Sequence, residues 1–388
     1  MLKLMIANDN GNSEQDMFIN NVPVGQPNVY AHIHRLPNMD EVNVEYVLND
    51  IHNNLIVSVE GQLYYVGNKA LKSGSRCRSI EVGVDNNKVT NHIVYVNTLA
   101  HIAGEAVAET HRQGKPLDHE IQCEVDMATA IPVSYYSKST GAAFAQRFMG
   151  KEHLVSIFVG PMEVSVRIRF DFVKVIPEGV TAAHAFLNHS EFFEAYNNSH
   201  EDMITTDYMG KARILHVAIG EGTTEFPLTY NGIEFNPDFI EGTNNGNGHA
   251  IDRIFIPFKQ DVGLLKFTRQ DFSNILKDGD HRYHDRAMDF MLPSLEEEAE
   301  EILTMTKHII YKANNEIDVV AVYGGGSILM RPMIEKRLQD FCSTGNKGIK
   351  VLYIEASKAV MLEAVGLNDF VHSKLFEQLK EMSTAKTA

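Results

Sequence analysis

Cysteine is scarce in this sequence, basic residues are outnumbered, and long apolar runs are missing. Its three cysteines, Cys77, Cys123 and Cys342, are spread over 388 residues. They form neither a disulfide framework nor a zinc-ligand pattern, which points to a reducing, cytoplasmic compartment. Lysine and arginine number 35 against 51 aspartates and glutamates, a formal net charge of -16. A surface so acidic repels phosphate backbones, so direct binding to nucleic acid is not expected. No apolar run reaches the ~18 residues of a membrane-spanning helix, so no membrane association is expected. The opening apolar stretch breaks at Asn8 and Asp9 and reads as a strand, not a signal peptide. There is no GxxxxGK[ST] loop, which excludes a P-loop enzyme, and no low-complexity segment.

What is present is an ordinary globular composition, 44% hydrophobic and 22% charged, on a chain long enough for two or three domains. Leu2 to Ala7 reads as a buried strand ending in a polar turn. Leu55 to Val59 and Leu63 to Val66 flank Gly61 as a hairpin. Tyr95 to Arg112 carries Leu99, Ile102, Ala103, Ala106 and Val107 on one helical face. Ile121 to Ile131 is a strand. Val164, Val166, Ile168, Phe170 and Phe172 alternate with polar residues, which predicts a strand with one buried face. Phe186 to Tyr196 reads as a helix, Ile214 to Ile219 as a buried strand, and Glu225 to Tyr230 as a strand meeting an Asn231-Gly232 turn. Residues 241–248 form a flexible loop or a glycine turn. Thr268 and Ser294 each open a capping box. Val319 to Val322 and Lys350 to Ile354 are strands, and Asp369 to Met382 is a final helix.

Glycine turns follow buried strands at three places. At Asp9-Asn10-Gly11-Asn12-Ser13, backbone N–H groups can approach phosphate oxygens, and Asp9 can order magnesium-bound water. At Gly220-Glu221-Gly222-Thr223-Thr224, glycines give backbone access, threonines donate hydrogen bonds, and Glu221 can stand behind a hydrated metal. Gly324-Gly325-Gly326-Ser327 costs conformational entropy that close approach of a ligand would explain. Each pattern also fits a plain turn. Glu178, beyond the long alternating strand, can polarise a water for attack on a γ-phosphate, although a strand-end glutamate is more often simply solvated. Among the 17 histidines, His32-x-His34 and His281-x-x-His284 have ligand-like spacing but no completing ligand, and read as surface residues.

In their order and spacing these motifs resemble the superfamily of actin, heat-shock chaperone ATPases and sugar kinases. Asp9 to Ser13 stands where that superfamily has its phosphate 1 hairpin, Ala218 to Glu225 its phosphate 2 hairpin, and Gly324 to Ser327 its adenosine motif. Within it the chain resembles the bacterial ParM group of plasmid-segregating actins, and Val175-Ile176-Pro177-Glu178-Gly179 is similar to the segment carrying that group's catalytic glutamate. The resemblance implies an α/β fold of two actin-like, ribonuclease H-like halves around a nucleotide cleft: residues 1–185 with 331–388, and 186–330, with small subdomains inserted at about 28–92 and 230–290. It implies ATP or GTP with Mg²⁺ held through water by Asp9 and Glu221, hydrolysis with Glu178 positioning water, a homopolymeric filament, and plasmid DNA moved through a basic adaptor of ParR type. A kinase or chaperone-type ATPase, or a non-hydrolysing filament scaffold, are the alternatives. Two departures stand out. Ala218 occupies the position of a metal-ordering aspartate, and Gln15 is the substitute for the Lys or Gln usual further along the phosphate 1 hairpin.

Overall fold

The computed structural model describes residues 1–80, 88–265, 267–344 and 348–387; residues 81–87 of the expected first insertion lie outside them. The chain divides into two compact units, one of residues 1–131, 135–177 and 364–388 and one of 132–134 and 178–363.

Among the described residues the first unit is built on a ten-stranded sheet. Its strands are β1 (Leu2–Asn10), β2 (Glu14–Ile19), β3 (Val22–Pro27), β4 (Val29–Ile33), β5 (Ile56–Val59), β6 (Gln62–Val66), β7 (Arg78–Ser79), β8 (Ile121–Ile131), β9 (His153–Val159) and β10 (Met162–Pro177). The centre, β1-β8-β10, is parallel. Antiparallel hairpins extend it on both sides, in the order β3-β2-β1-β8-β10-β9-β5-β6-β4-β7. The β5–β6 turn takes Glu60 and Gly61 to positive φ, 51° and 77°, the geometry of a two-residue hairpin turn.

Helix His92–Arg112 covers one face. Its predicted stripe from Leu99 to Val107 is fully buried, but so are Asn97, Thr98 and His101 on other sides, so it is an interior helix rather than an amphipathic one. The long strand β10 departs from its predicted pattern. Its register slips between Phe170 and Phe172. Up to Phe170 the alternating residues join the core under that helix, and Val173 and Val175 resume it. Phe172 turns to the opposite face, where it packs with Ile176, Leu367, Phe370 and Phe376. A bulge inserts one residue and exchanges the faces of those that follow, so β10 serves two cores instead of one.

The second unit holds a seven-stranded sheet: β11 (Ile214–Ile219), β12 (Thr224–Glu225), β13 (Leu228–Tyr230), β14 (Glu234–Phe235), β15 (Gly242–Thr243), β16 (Val319–Tyr323) and β17 (Lys350–Tyr353). β11, β16 and β17 run parallel, and every residue of β11 and β16 is buried, as expected of strands covered on both faces. The predicted strand 225–230 is split at Pro227, which has no N–H to give a ladder. Because β17 pairs with β16, residues 331–363 fall in this unit and not, as expected, with the first half.

Three helix expectations are corrected. Ser294 is not a helix start: helix His284–Lys312 runs through Pro293, and Ser294 is buried within it. The core stripe explains this, since Ala287, Met291, Leu295, Ala299 and Ile302 continue one face at three- and four-residue steps across the proline. The segment 186–196 is divided among helix Val180–Asn188, a 3₁₀ turn at Ser190–Phe193 and helix Glu194–Ser199. The final helix is two, Leu362–Val371 and Lys374–Thr387, with the Ser373 hydroxyl oxygen accepting from the Phe376 N–H at 3.2 Å to start the second. Thr268, by contrast, caps helix Arg269–Lys277 in the predicted box.

Candidate functional site

In the first unit the candidate residues stand at the carboxyl end of β1. Asp9 and Asn10 are still strand residues, paired with Asp16 and Gln15 of β2, and Gly11 to Ser13 make the turn. A Cβ at Gly11 would lie 2.7 Å from the Glu14 carbonyl oxygen, so the tightness of this turn requires glycine. Alternation along the hairpin separates two kinds of polar residue. On the inner face Gln15 Nε2 donates to Asn8 Oδ1 at 2.9 Å, and Asn8 Nδ2 donates to Thr98 Oγ1 at 2.9 Å. Asn28 Nδ2 reaches the Gly11 carbonyl at 2.8 Å. Gln15 therefore serves to anchor the hairpin on helix His92–Arg112. Both side-chain polar atoms of fully buried Asn10 lack a partner among the described residues, a cost that water or a ligand would offset.

On the other face Asp9 and Asp16 lie directly opposite each other. Two carboxylates placed across a hairpin in this way offer a donor pair of the kind a divalent cation takes. Magnesium is held by one or two carboxylates with phosphate oxygens and water completing the shell, and this pair fits that donor set. No cluster of three or more His, Cys, Asp or Glu side chains able to hold a metal occurs among the described residues.

In the second unit the other candidates converge at the carboxyl ends of β11 and β16. Gly220 N–H donates to the Thr223 carbonyl at 2.9 Å, closing the turn. The segment 241–248 is packed onto it, not loose. Thr224 Oγ1 donates to the Asn245 carbonyl at 2.7 Å, Gly248 N–H to the Glu221 carbonyl at 2.8 Å, and His249 Nε2 lies 2.9 Å from the Gly222 carbonyl. Helix Asn247–Val262 thus begins beside the turn.

Glu221 does not have the setting expected of a metal-ordering group. Its carboxylate is ion-paired with Arg269, which also holds Asp252 at 2.6 Å. Its remaining oxygen is enclosed without a partner among the described residues. It ties the turn to the capped helix Arg269–Lys277 instead.

The glycine triplet divides by role. Gly324 has φ 92°, and a Cβ there would come within 2.4 Å of the Ile219 carbonyl oxygen; a Cβ at Gly326 would come within 2.7 Å of the Gly220 carbonyl oxygen. Both are explained by close packing of β16's exit against β11's. A Cβ on Gly325 meets nothing within 4 Å. Helix Gly325–Ser343 starts there without a side-chain cap, which leaves N–H groups available to an anion. Ser327 Oγ donates back to the Gly324 carbonyl at 2.8 Å.

Glu178 is half-buried in the turn before helix Val180–Asn188. The next residue, Gly179, is held from both sides of its backbone. Its N–H donates to Glu363 Oε2 at 2.9 Å. Its carbonyl accepts from the Tyr323 hydroxyl at 2.9 Å. That hydroxyl lies 3.2 Å from His216 Nδ1, and His216 Nε2 lies 3.0 Å from Thr229 Oγ1. His216 is fully buried, and desolvation pushes its pKa down to about 3, so the ring is neutral. Tyr323, His216, Glu363 and Arg269 were not singled out from sequence. His216 alone gave a signal, as the polar residue in the otherwise apolar strand Ile214–Ile219.

Residues 9–180 match the family model of the actin-like proteins' N-terminal domain. No curated protein sequence matches. Among solved structures, the actin-like protein Alp7A is similar over 100% of both chains, with TM-score 0.68 and 16% identity. Ta0583, an archaeal actin homologue in complex with ADP, is similar over 95% of this chain and 98% of its own, with TM-score 0.61 and 13% identity. Bacillus thuringiensis ParM with AMPPNP is similar over 97% of this chain and 100% of its own, with TM-score 0.58 and 17% identity. Residues 9–180 are thus similar to the actin-like N-terminal domain, and the chain has the actin-like fold along its whole length.

Proposed function

We propose that this chain is a nucleotide-dependent, polymerising actin-like protein of the cytoplasm that moves plasmid DNA through a basic adaptor of ParR type. The observation that carries this reading is the actin-like fold of the whole chain, with a glycine turn at the carboxyl end of a central strand in each unit. Similar folds have been solved with ADP and AMPPNP, which supports ATP; GTP is the second candidate.

In this mechanism the backbone N–H groups of Gly11, Asn12 and Ser13 bind phosphate oxygens from the first unit. Those of Gly220, Gly222, Thr223 and Thr224 do so from the second. Gly324 to Ser327 hold the nucleoside end. Asp9 and Asp16 would hold Mg²⁺, which when bound neutralises phosphate charge. Glu221 keeps its turn in place through Arg269. Glu178 accepts a hydrogen bond from the attacking water and orients it. Assembly by a head-to-tail, heterologous contact gives an open filament, and hydrolysis loosens it.

Sedimentation tests the filament: protein should pellet with Mg²⁺ and ATP or GTP and stay soluble without nucleotide, and soluble protein under every condition would refute it. Glu178→Ala should slow phosphate release by about 10²-fold or more. Ala218 favours one rival, a scaffold that binds nucleotide without hydrolysing it; wild-type release no faster than that of the alanine variant would establish it.

A further inference from the structure

Tyr323 occupies a position where two functions meet. It is the last residue of β16, immediately before the triplet Gly324–Gly326 that would hold the nucleoside. Its side chain is fully buried, and its hydroxyl ends on the backbone of Gly179, the residue after Glu178. A phenol has one proton. Donated to the Gly179 carbonyl, it leaves the oxygen to accept, so His216 must donate from Nδ1. His216 Nε2 then accepts from the Thr229 hydroxyl. Desolvation keeps the imidazole neutral, which this chain of three bonds requires, and the stacked ring of Phe186, with centroids 6.1 Å apart, holds its plane.

The turn is held elsewhere too. Glu363 Oε2 accepts from the Gly179 N–H and, at 2.5 Å, from the Thr181 hydroxyl. It thereby caps helix Val180–Asn188, whose own N-cap glycine offers no side chain. Gly179 sits at φ 81°, and a Cβ there would lie 2.4 Å from Pro227 Cγ. A solvated loop glutamate has no need of a following residue fixed by a buried phenol, a carboxylate and a proline. An orienting glutamate does, because an ångström of misplacement is costly in a reaction that depends on positioning.

We propose that Tyr323 is a positioning residue that joins the nucleoside-holding turn at Gly324–Gly326 to the turn carrying Glu178, with His216 and Glu363 as its supports. This rests on the nucleotide-hydrolysing reading above. Nucleotide bound at the glycine triplet fixes the end of β16, and through the Tyr323 hydroxyl it fixes the Gly179 carbonyl and the direction of Glu178.

The test is a kinetic cycle on the full chain. Tyr323→Phe should lower the phosphate-release rate at saturating ATP at least tenfold and change the Kd for a fluorescent ATP analogue by less than twofold. Combined with Glu178→Ala, it should cause no further loss beyond that of Glu178→Ala alone, because it acts through Glu178. Losses that multiply in the double variant, or hydrolysis by Tyr323→Phe at the wild-type rate, would overturn the inference. If Tyr323→Phe does not fold, Glu363→Gln takes its place in the same cycle with the same expectations, since the amide oxygen can still accept from Gly179. Wild-type protein that binds no nucleotide would instead refute the proposed function itself.

Discussion

At Gly325 the fold asks for nothing that alanine could not supply. Its flanking glycines are required by the backbone of β11, whereas a Cβ at 325 enters open space. The two kinds of position should respond differently. Gly324→Ala should cost roughly 1–3 kcal/mol of stability, from a strained φ and a contact with the Ile219 carbonyl that must give way, and thermal unfolding measures it. Gly325→Ala should leave stability unchanged or raise it by up to ~1 kcal/mol, yet weaken nucleotide binding about tenfold. Unchanged binding in that variant would show that the ligand does not approach the turn. His216 supplies a pH-dependent companion. Its pKa falls from 6.5 unfolded to about 3 folded, so its contribution to stability is complete above pH 6.5 and is lost as pH drops from there toward 3, while the unfolded chain alone takes up the proton. Across that window it contributes a slope of about 1.4 kcal/mol per pH unit. Denaturant unfolding of wild type and His216→Gln between pH 7 and 5 should show the variant's slope shallower by a difference that grows toward one proton at pH 5.

At the scale of elements, legibility followed locality. The strand Ile214–Ile219 was readable because a buried strand is close to an apolar run, and Ile121–Ile131 because its apolar residues are bounded by Pro132. The capping box at Thr268 was readable because its chemistry lies within four residues. Thr268→Ala should therefore lower stability by about 1 kcal/mol, and because the helix it starts also presents Arg269 to Glu221, it should weaken nucleotide binding as well; calorimetry on both properties checks this. What could not be read was set by partners far along the chain. Ser294 carries the signature of a helix start, but the stripe through Ala287 and Met291 continues the helix upstream past it. The bulge at Phe172 has no local marker and becomes intelligible only when Leu367, Phe370 and Phe376 pack against it. The candidate site divides the same way. Its glycine turns were visible as turns, but the pairing of Glu221 with Arg269, 48 residues away, and the hold of Tyr323 on Gly179, 144 residues away, depend on tertiary structure.

For the whole molecule the governing quantity is the net charge of -16. In the proposed filament, identical copies that add head to tail would bring like charge together at every step, and that repulsion would oppose assembly independently of the contact itself. Salt screens it: the Debye length shrinks from ~10 Å at 0.1 M to about half that at several times the concentration. If the filament contact is predominantly apolar, raising KCl from about 0.05 to 0.3 M at fixed Mg²⁺ and ATP should lower the critical concentration for assembly several-fold, as read from the protein left in the supernatant after sedimentation. A critical concentration that rises with salt would mean that complementary charges form the contact. The same screening should weaken capture of a basic adaptor, since the attraction between an acidic filament and a basic partner is reduced as readily as the repulsion between subunits. Filament formation and adaptor capture should therefore shift in opposite directions along one salt series.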